Sequence, residues 1–138
     1  MVRFVPINTA PREFTPGPIS PEEAAAGFRA ATKLFTRWEL SEAQAAALLD
    51  MPKSTYRRWC SAGPGRISRD RGMRLGILLG IHKALRTLFR DPSRGDAWIK
   101  KPNDTFGGRS ALDLMMNGYI TDLMRVRNYL DAELCSSA

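Results

Sequence analysis

Cysteine and histidine are scarce here: among 138 residues only Cys60, Cys135 and His82 belong to those types. Two thiols so far apart form neither a disulfide framework nor a zinc cluster, and a single imidazole cannot complete a His/Cys ligand set. Buried or idle thiols and no metal are expected. Long apolar runs are missing too: no stretch of about eighteen apolar residues exists, and "MVRFVPINTAPREF" lacks the apolar centre of a signal peptide. The expectation is a cytoplasmic protein without membrane association. No segment sustains apolar–polar alternation, so strands have no support, and neither repeats nor low-complexity tracts occur. Catalytic sets are absent at close spacing. His82 lies inside apolar "LGILLGIHKAL", where a core or boundary histidine fits better than a general base, and Asp113 and Asp122 suit helix starts. No catalytic residue, no cofactor and no enzyme activity are expected.

What the sequence does have is enough apolar content, 43%, for a real core, and a net charge of +7. The charge is unevenly placed. Residues 52 to 74 carry Lys53, Arg57, Arg58, Arg66, Arg69, Arg71 and Arg74 against Asp70 alone, whereas 102 to 138 hold more acids than bases. A basic middle is drawn to polyanions, because each cation that neutralises a phosphate releases a condensed counterion.

Periodicity predicts an all-α fold, in which a helix-turn-helix N-terminal half is joined by a long central helix to a small C-terminal helical domain. Residues 1–20, with Pro6, Pro11, Pro16 and Pro18, read as a flexible arm. Ser20, Pro21 and Glu23 form a helix start, followed by Phe28, Ala31, Leu34, Phe35 and Trp38 at helical spacing. A second capping box, Ser41 to Gln44, opens a helix that presents Ala46, Leu48 and Leu49 to a core. The helix from "SRDRGMRLGILLGIHKALRTLF" is apolar nearly all round, so it should lie between two layers, with Gly76 and Gly80 marking close helix approach. Ile120, Leu123, Met124, Leu130 and Leu134 make the stripe of the last helix, with Arg127 on the same side. The expected division is 1–20 arm, 21–74 helix-turn-helix DNA-binding domain, 75–138 C-terminal domain.

Residues 42 to 61 fit a helix-turn-helix with small Ala46 at the crossing, a turn near Asp50 and Met51, and Tyr56 and Trp59 as inward anchors. Asp50 stands where many such turns use Gly, and Pro52 where Ser or Thr usually caps. Asp tolerates left-handed geometry and Pro suits a helix start. Lys53, Ser54, Thr55, Arg57 and Arg58 then face out as DNA-contacting residues, with Arg66 and Arg69, and also Arg71 and Arg74, placed to clamp flanking phosphates. The competing interpretation is an ordinary helical hairpin with a solvated charged face. Readers of this kind commonly bind two half-sites as dimers, so a homodimer on double-stranded operator DNA is expected.

"NDTFGGRS", residues 103 to 110, ends as a phosphate-binding loop ends, yet Asn103 occupies the first Gly position, Arg109 replaces Lys, and Pro102 precedes it without a strand. A polar elbow is the better account: Gly107 and Gly108 permit tight turns, Phe106 plugs the core, and Ser110 caps the next helix. Trp98, Pro102-Asn103, Phe106-Gly107-Gly108 and Leu112 to Met115, in this order before a final helix, resemble the C-terminal toxin-binding domain of the Xre/MbcA/ParS antitoxins. The preceding half is similar to their Xre-type helix-turn-helix, so the resemblance spans roughly residues 22–134. It implies a RES-domain toxin partner that consumes NAD or modifies targets with it, held inactive through the C-terminal half, and repression of the antitoxin's own operon. Arg109, Arg127, Asp131 and Glu133 are the toxin-binding candidates under that resemblance, although Arg127, on the apolar side of its helix, fits a snorkelling or locally paired side chain better than a toxin contact. A stand-alone dimeric transcription regulator without a toxin partner is the alternative.

Overall fold

The structure, a computed structural model, describes residues 20–136. The proline-rich arm expected at 1–20 lies outside them except for Ser20, as do Ser137 and Ala138. Seven α-helices and one 3-10 turn make up the described residues, where the only strand-like pairing is an isolated bridge between Pro102 and Ser110.

Helix α1 (Pro21–Arg37) begins where Ser20 Oγ accepts from Glu23 N at 3.1 Å, with Pro21 in the first turn, where its missing N–H costs nothing. Its expected stripe is buried throughout, from Phe28 to Trp38. Helix α2 (Glu42–Leu48) starts at the predicted capping box, with Ser41 Oγ accepting from Gln44 N and Gln44 Oε1 accepting from Ser41 N. Asp50 then takes a left-handed φ of 50°, which turns the chain into α3 (Lys53–Ala62) behind Pro52. Tyr56 and Trp59 present their rings edge-on to Phe28 at 6.0 and 5.5 Å between centroids, fixing α3 on α1.

Helix α4 (Arg69–Leu88) starts at Ser68 and is the spine: α1 packs on it from one side, α7 from another, and α5 near its C-terminal end. Ile77, Leu78, Ile81 and Leu85 are buried, as an all-round apolar segment between layers requires. Helix α5 (Pro92–Trp98), capped by Asp91, leads into the elbow. There Gly107 and Gly108 have φ of 70° and 82°, Phe106 is buried, and Ser110 Oγ accepts from Asp113 N to start α6 (Ala111–Met115). Trp98, Phe106 and Tyr129 form an aromatic cluster that ties the elbow to α7 (Ile120–Ser136).

One continuous core runs from Phe28 in α1 to Leu130 in α7. The expected stripe of α7 needs correction: Met124 is 43% exposed, and Val126 is buried in its stead beside Leu123 and Leu130. Those three lie at i, i+3 and i+7, whereas Met124 is turned by about 100° from Leu123. Both thiols are free and exposed, so of the two expected alternatives, buried or idle, burial is excluded. Among the described residues no helix is long and apolar enough to cross a membrane.

Candidate functional site

With Tyr56 and Trp59 buried, helical geometry turns the rest of α3 outward. Lys53, Ser54, Arg57 and Arg58 are exposed and Thr55 is half-buried. Burial holds the Tyr56 phenol far above its usual pKa, with a hydrogen bond involving Cys60 acting in the same direction, so Tyr56 stays a neutral anchor. Behind the helix, a shallow groove of about 340 Å³ runs between α1, α2 and α3, with Leu40, Glu42, Tyr56 and Cys60 among its walls.

The cations of this face fall into three groups. Lys53 and Arg58, together with the exposed Arg66 and Arg69, make no ion pair among the described residues. Arg57 pairs with Glu42, its Nε and Nη2 lying 2.9 and 2.8 Å from Oε2. Arg71 and Arg74 turn inward, which corrects their expected role as phosphate clamps. Arg71 Nη2 donates to Asp50 O at 3.0 Å with its guanidinium 5.9 Å from the Trp59 ring centroid, and Arg74, 4% exposed, donates to Leu48 O at 3.3 Å and Asp70 Oδ2 at 2.8 Å. Cations set against the last carbonyls of α2 suit the negative end of its dipole and hold the turn from behind. The signal for Arg74 was in the sequence, because it shares the i, i+4, i+7, i+11 row of Leu78, Ile81 and Leu85.

At the other end, Arg109 is exposed, and its Nη2 donates to Asp113 O at 3.0 Å, across the C-terminal turn of α6. Arg127 is half-buried: Nε lies 3.8 Å from Asp131 Oδ2, and the guanidinium rests over Gly80 of α4, where a Cβ would come within 2.7 Å of it. Gly80 thus marks a close approach, as expected, made by a side chain. Glu133 is exposed. Arg127 and Asp131 are therefore brought together, while Arg109 and Glu133 are exposed at the surface. Sequence reasoning missed two features. Glu42 contacts the α3 face only through tertiary structure, and Tyr119, 68% exposed, lies with Met124 and Met116 as the large exposed apolar residues of the described chain.

His82 sits at the seam of α4, α1 and α5, half-buried, with Nδ1 buried and no hydrogen-bond partner for it among the described residues. Burial lowers its pKa, Arg37 and Arg86 push the same way, and Asp96 opposes them.

Comparison with known proteins matches both halves. Residues 84–133 match the family model of the antitoxin Xre/MbcA/ParS C-terminal toxin-binding domain, and residues 17–80 that of the antitoxin Xre-like helix-turn-helix domain. The uncharacterized protein y4oB of Sinorhizobium fredii (strain NBRC 101917 / NGR234) is 46% identical over 114 residues, covering 82% of this chain and 84% of the relative. Among solved structures, a chain of the M. tuberculosis MbcT-MbcA toxin-antitoxin complex superposes with a TM-score of 0.53 at 23% identity, over 76% of this chain and 90% of that one. That likeness is one of fold.

Proposed function

The chain belongs to the Xre/MbcA/ParS antitoxin family, and from that premise we propose that it neutralises an NAD-consuming RES-domain toxin and represses its own operon as a cytoplasmic homodimer. As an antitoxin with a helix-turn-helix, it divides its labour between the two ends of one core. Supporting the DNA-binding half is the outward basic face of α3, the observation that carries the reading. Lys53, Ser54, Thr55, Arg57 and Arg58 project from a helix whose opposite side is pinned by Tyr56 and Trp59, and Arg66 and Arg69 follow it. A helix so presented enters a major groove, with hydroxyls and cations for phosphates and an arginine for guanine.

Toxin capture falls to the C-terminal end. Its support is the match of residues 84–133 to a toxin-binding domain, together with a structural neighbour seen in a toxin-antitoxin complex. Within that end, Arg109, Glu133, Tyr119 and Met124 are exposed, so they are assigned to the toxin surface. Arg127 and Asp131 act behind them by seating α7 on Gly80.

The test is co-expression of the full chain with the product of the adjoining gene. Growth restored by the chain, co-purification of the two proteins, loss of co-purification in a Tyr119→Asp/Met124→Asp variant, and binding of the complex to a duplex from their own promoter are expected. A chain that binds the promoter duplex but neither protects nor co-purifies would instead be a plain regulator.

A further inference from the structure

Resting on the duplex-binding reading of α3, we infer that Glu42 is a positioning residue that makes Arg57 a reader of base edges rather than a clamp on phosphate. The geometry is specific. Nε and Nη2 of Arg57 converge on a single oxygen, Oε2 of Glu42, at 2.9 and 2.8 Å. A guanidinium has two donor edges, and this pair occupies the side edge. The end edge, Nη1 with the outer hydrogen of Nη2, takes no partner among the described residues. A bidentate pair with N7 and O6 of guanine requires just such a free edge.

Charge decides which acceptor that edge prefers. Guanine N7 and O6 are neutral acceptors, whereas a phosphate carries a full negative charge. A carboxylate at ion-pair distance offsets the charge of Arg57 and repels a phosphate placed next to it, so base readout loses far less than backbone contact. Among the described residues Lys53, Arg58, Arg66 and Arg69 have no acidic partner, and they keep their full attraction for the backbone.

Position supports the same assignment. Glu42 is the first residue of α2, inside the Ser41–Gln44 capping box that fixes the backbone there. Its carboxylate therefore comes from a defined point and biases the Arg57 rotamer before any duplex arrives, which lowers the ordering cost of binding. In the free protein both side chains are well exposed, 64% for Arg57 and 46% for Glu42, so water competes with the pair. A duplex seated on α3 excludes that water and strengthens the contact.

The experiment uses the full chain, a duplex it selects from a random-sequence pool, and a scrambled duplex of equal length, titrated over a range of salt concentrations. Glu42→Gln should reduce the preference for the selected duplex by about tenfold, while steepening the slope of log K against log salt by about 0.9, one newly free phosphate-neutralising charge. Arg57→Ala should lose the same preference with little change in slope. Arg58→Ala should flatten the slope by about 0.9 on both duplexes. Wild-type preference and slope in Glu42→Gln would overturn the positioning role and leave duplex binding intact. A wild-type chain that binds no duplex would overturn both that role and the operator-binding reading.

Discussion

Arginine behaves in four ways in this chain, and charge alone does not sort them. Arg58 is open to solvent, Arg57 is held by a carboxylate, Arg127 lies over a glycine, and Arg74 is buried. For Arg74 the stem fills core space while the head donates to Leu48 O; Asp70, half exposed, stays hydrated without it. Arg74→Ala should therefore destabilise by about 2 kcal/mol, through lost packing and a lost charge-assisted hydrogen bond, and Arg74→Met by about 1 kcal/mol, since the stem is kept. Exposed Arg69→Ala should change stability by less than about 0.5 kcal/mol. Urea denaturation of the three variants checks this order; equal costs for Arg74→Ala and Arg69→Ala would place Arg74 at the surface.

At the scale of the element, most of what positions the site was legible from short-range rules. The capping box of α2, the left-handed Asp50, the start of α3 behind Pro52 and the inward Tyr56 and Trp59 all depend on residues within one or two turns of each other. So did the elbow, where Gly107, Gly108 and Ser110 behave as their local chemistry dictates. Contacts across elements were not legible. Arg71 reaches Asp50 O over a separation that no periodicity encodes, and Glu42 meets Arg57 only because α2 and α3 cross. Met124 was misplaced because an apolar residue at the edge of a stripe looks the same in sequence as one at its centre. The turn itself makes a prediction. Ala at position 50 would keep φ near +50° at a penalty of about 1 kcal/mol, whereas Asn tolerates that region, so Asp50→Ala should lower the thermal midpoint and Asp50→Asn should leave it nearly unchanged. Equal midpoints for the two would show that the turn adapts without strain.

On the scale of the whole molecule, the two family-matched halves are not independent bodies. The helix-turn-helix match and the C-terminal match share α4 and a single core, so removing the C-terminal end would strip α7 from α4, where Arg127 rests over Gly80, and expose the apolar surface that α7 covers. Point variants on the intact chain are therefore the sound way to separate toxin capture from DNA binding. His82 reports on this shared interior. It faces Arg37 of α1 and Asp96 of α5, themselves paired at 3.2 Å, with Arg86 on its own helix. Burial first, then Arg37, holds its pKa below the ordinary value of about 6.5 that applies in the unfolded chain. Between those two pKa values the unfolded chain binds a proton that the folded one does not, so stability must fall as pH drops through about 6.5 and level off below the folded value. Asp91, held low by its hydrogen bonds with Ser93, stays ionised across that window and adds nothing. Urea midpoints measured from pH about 7.5 down to about 5.5 should decline for the wild type and much less for His82→Gln. If the variant keeps the full decline, the proton enters elsewhere, and the seam between α1, α4 and α5 is not where acid loosens the fold.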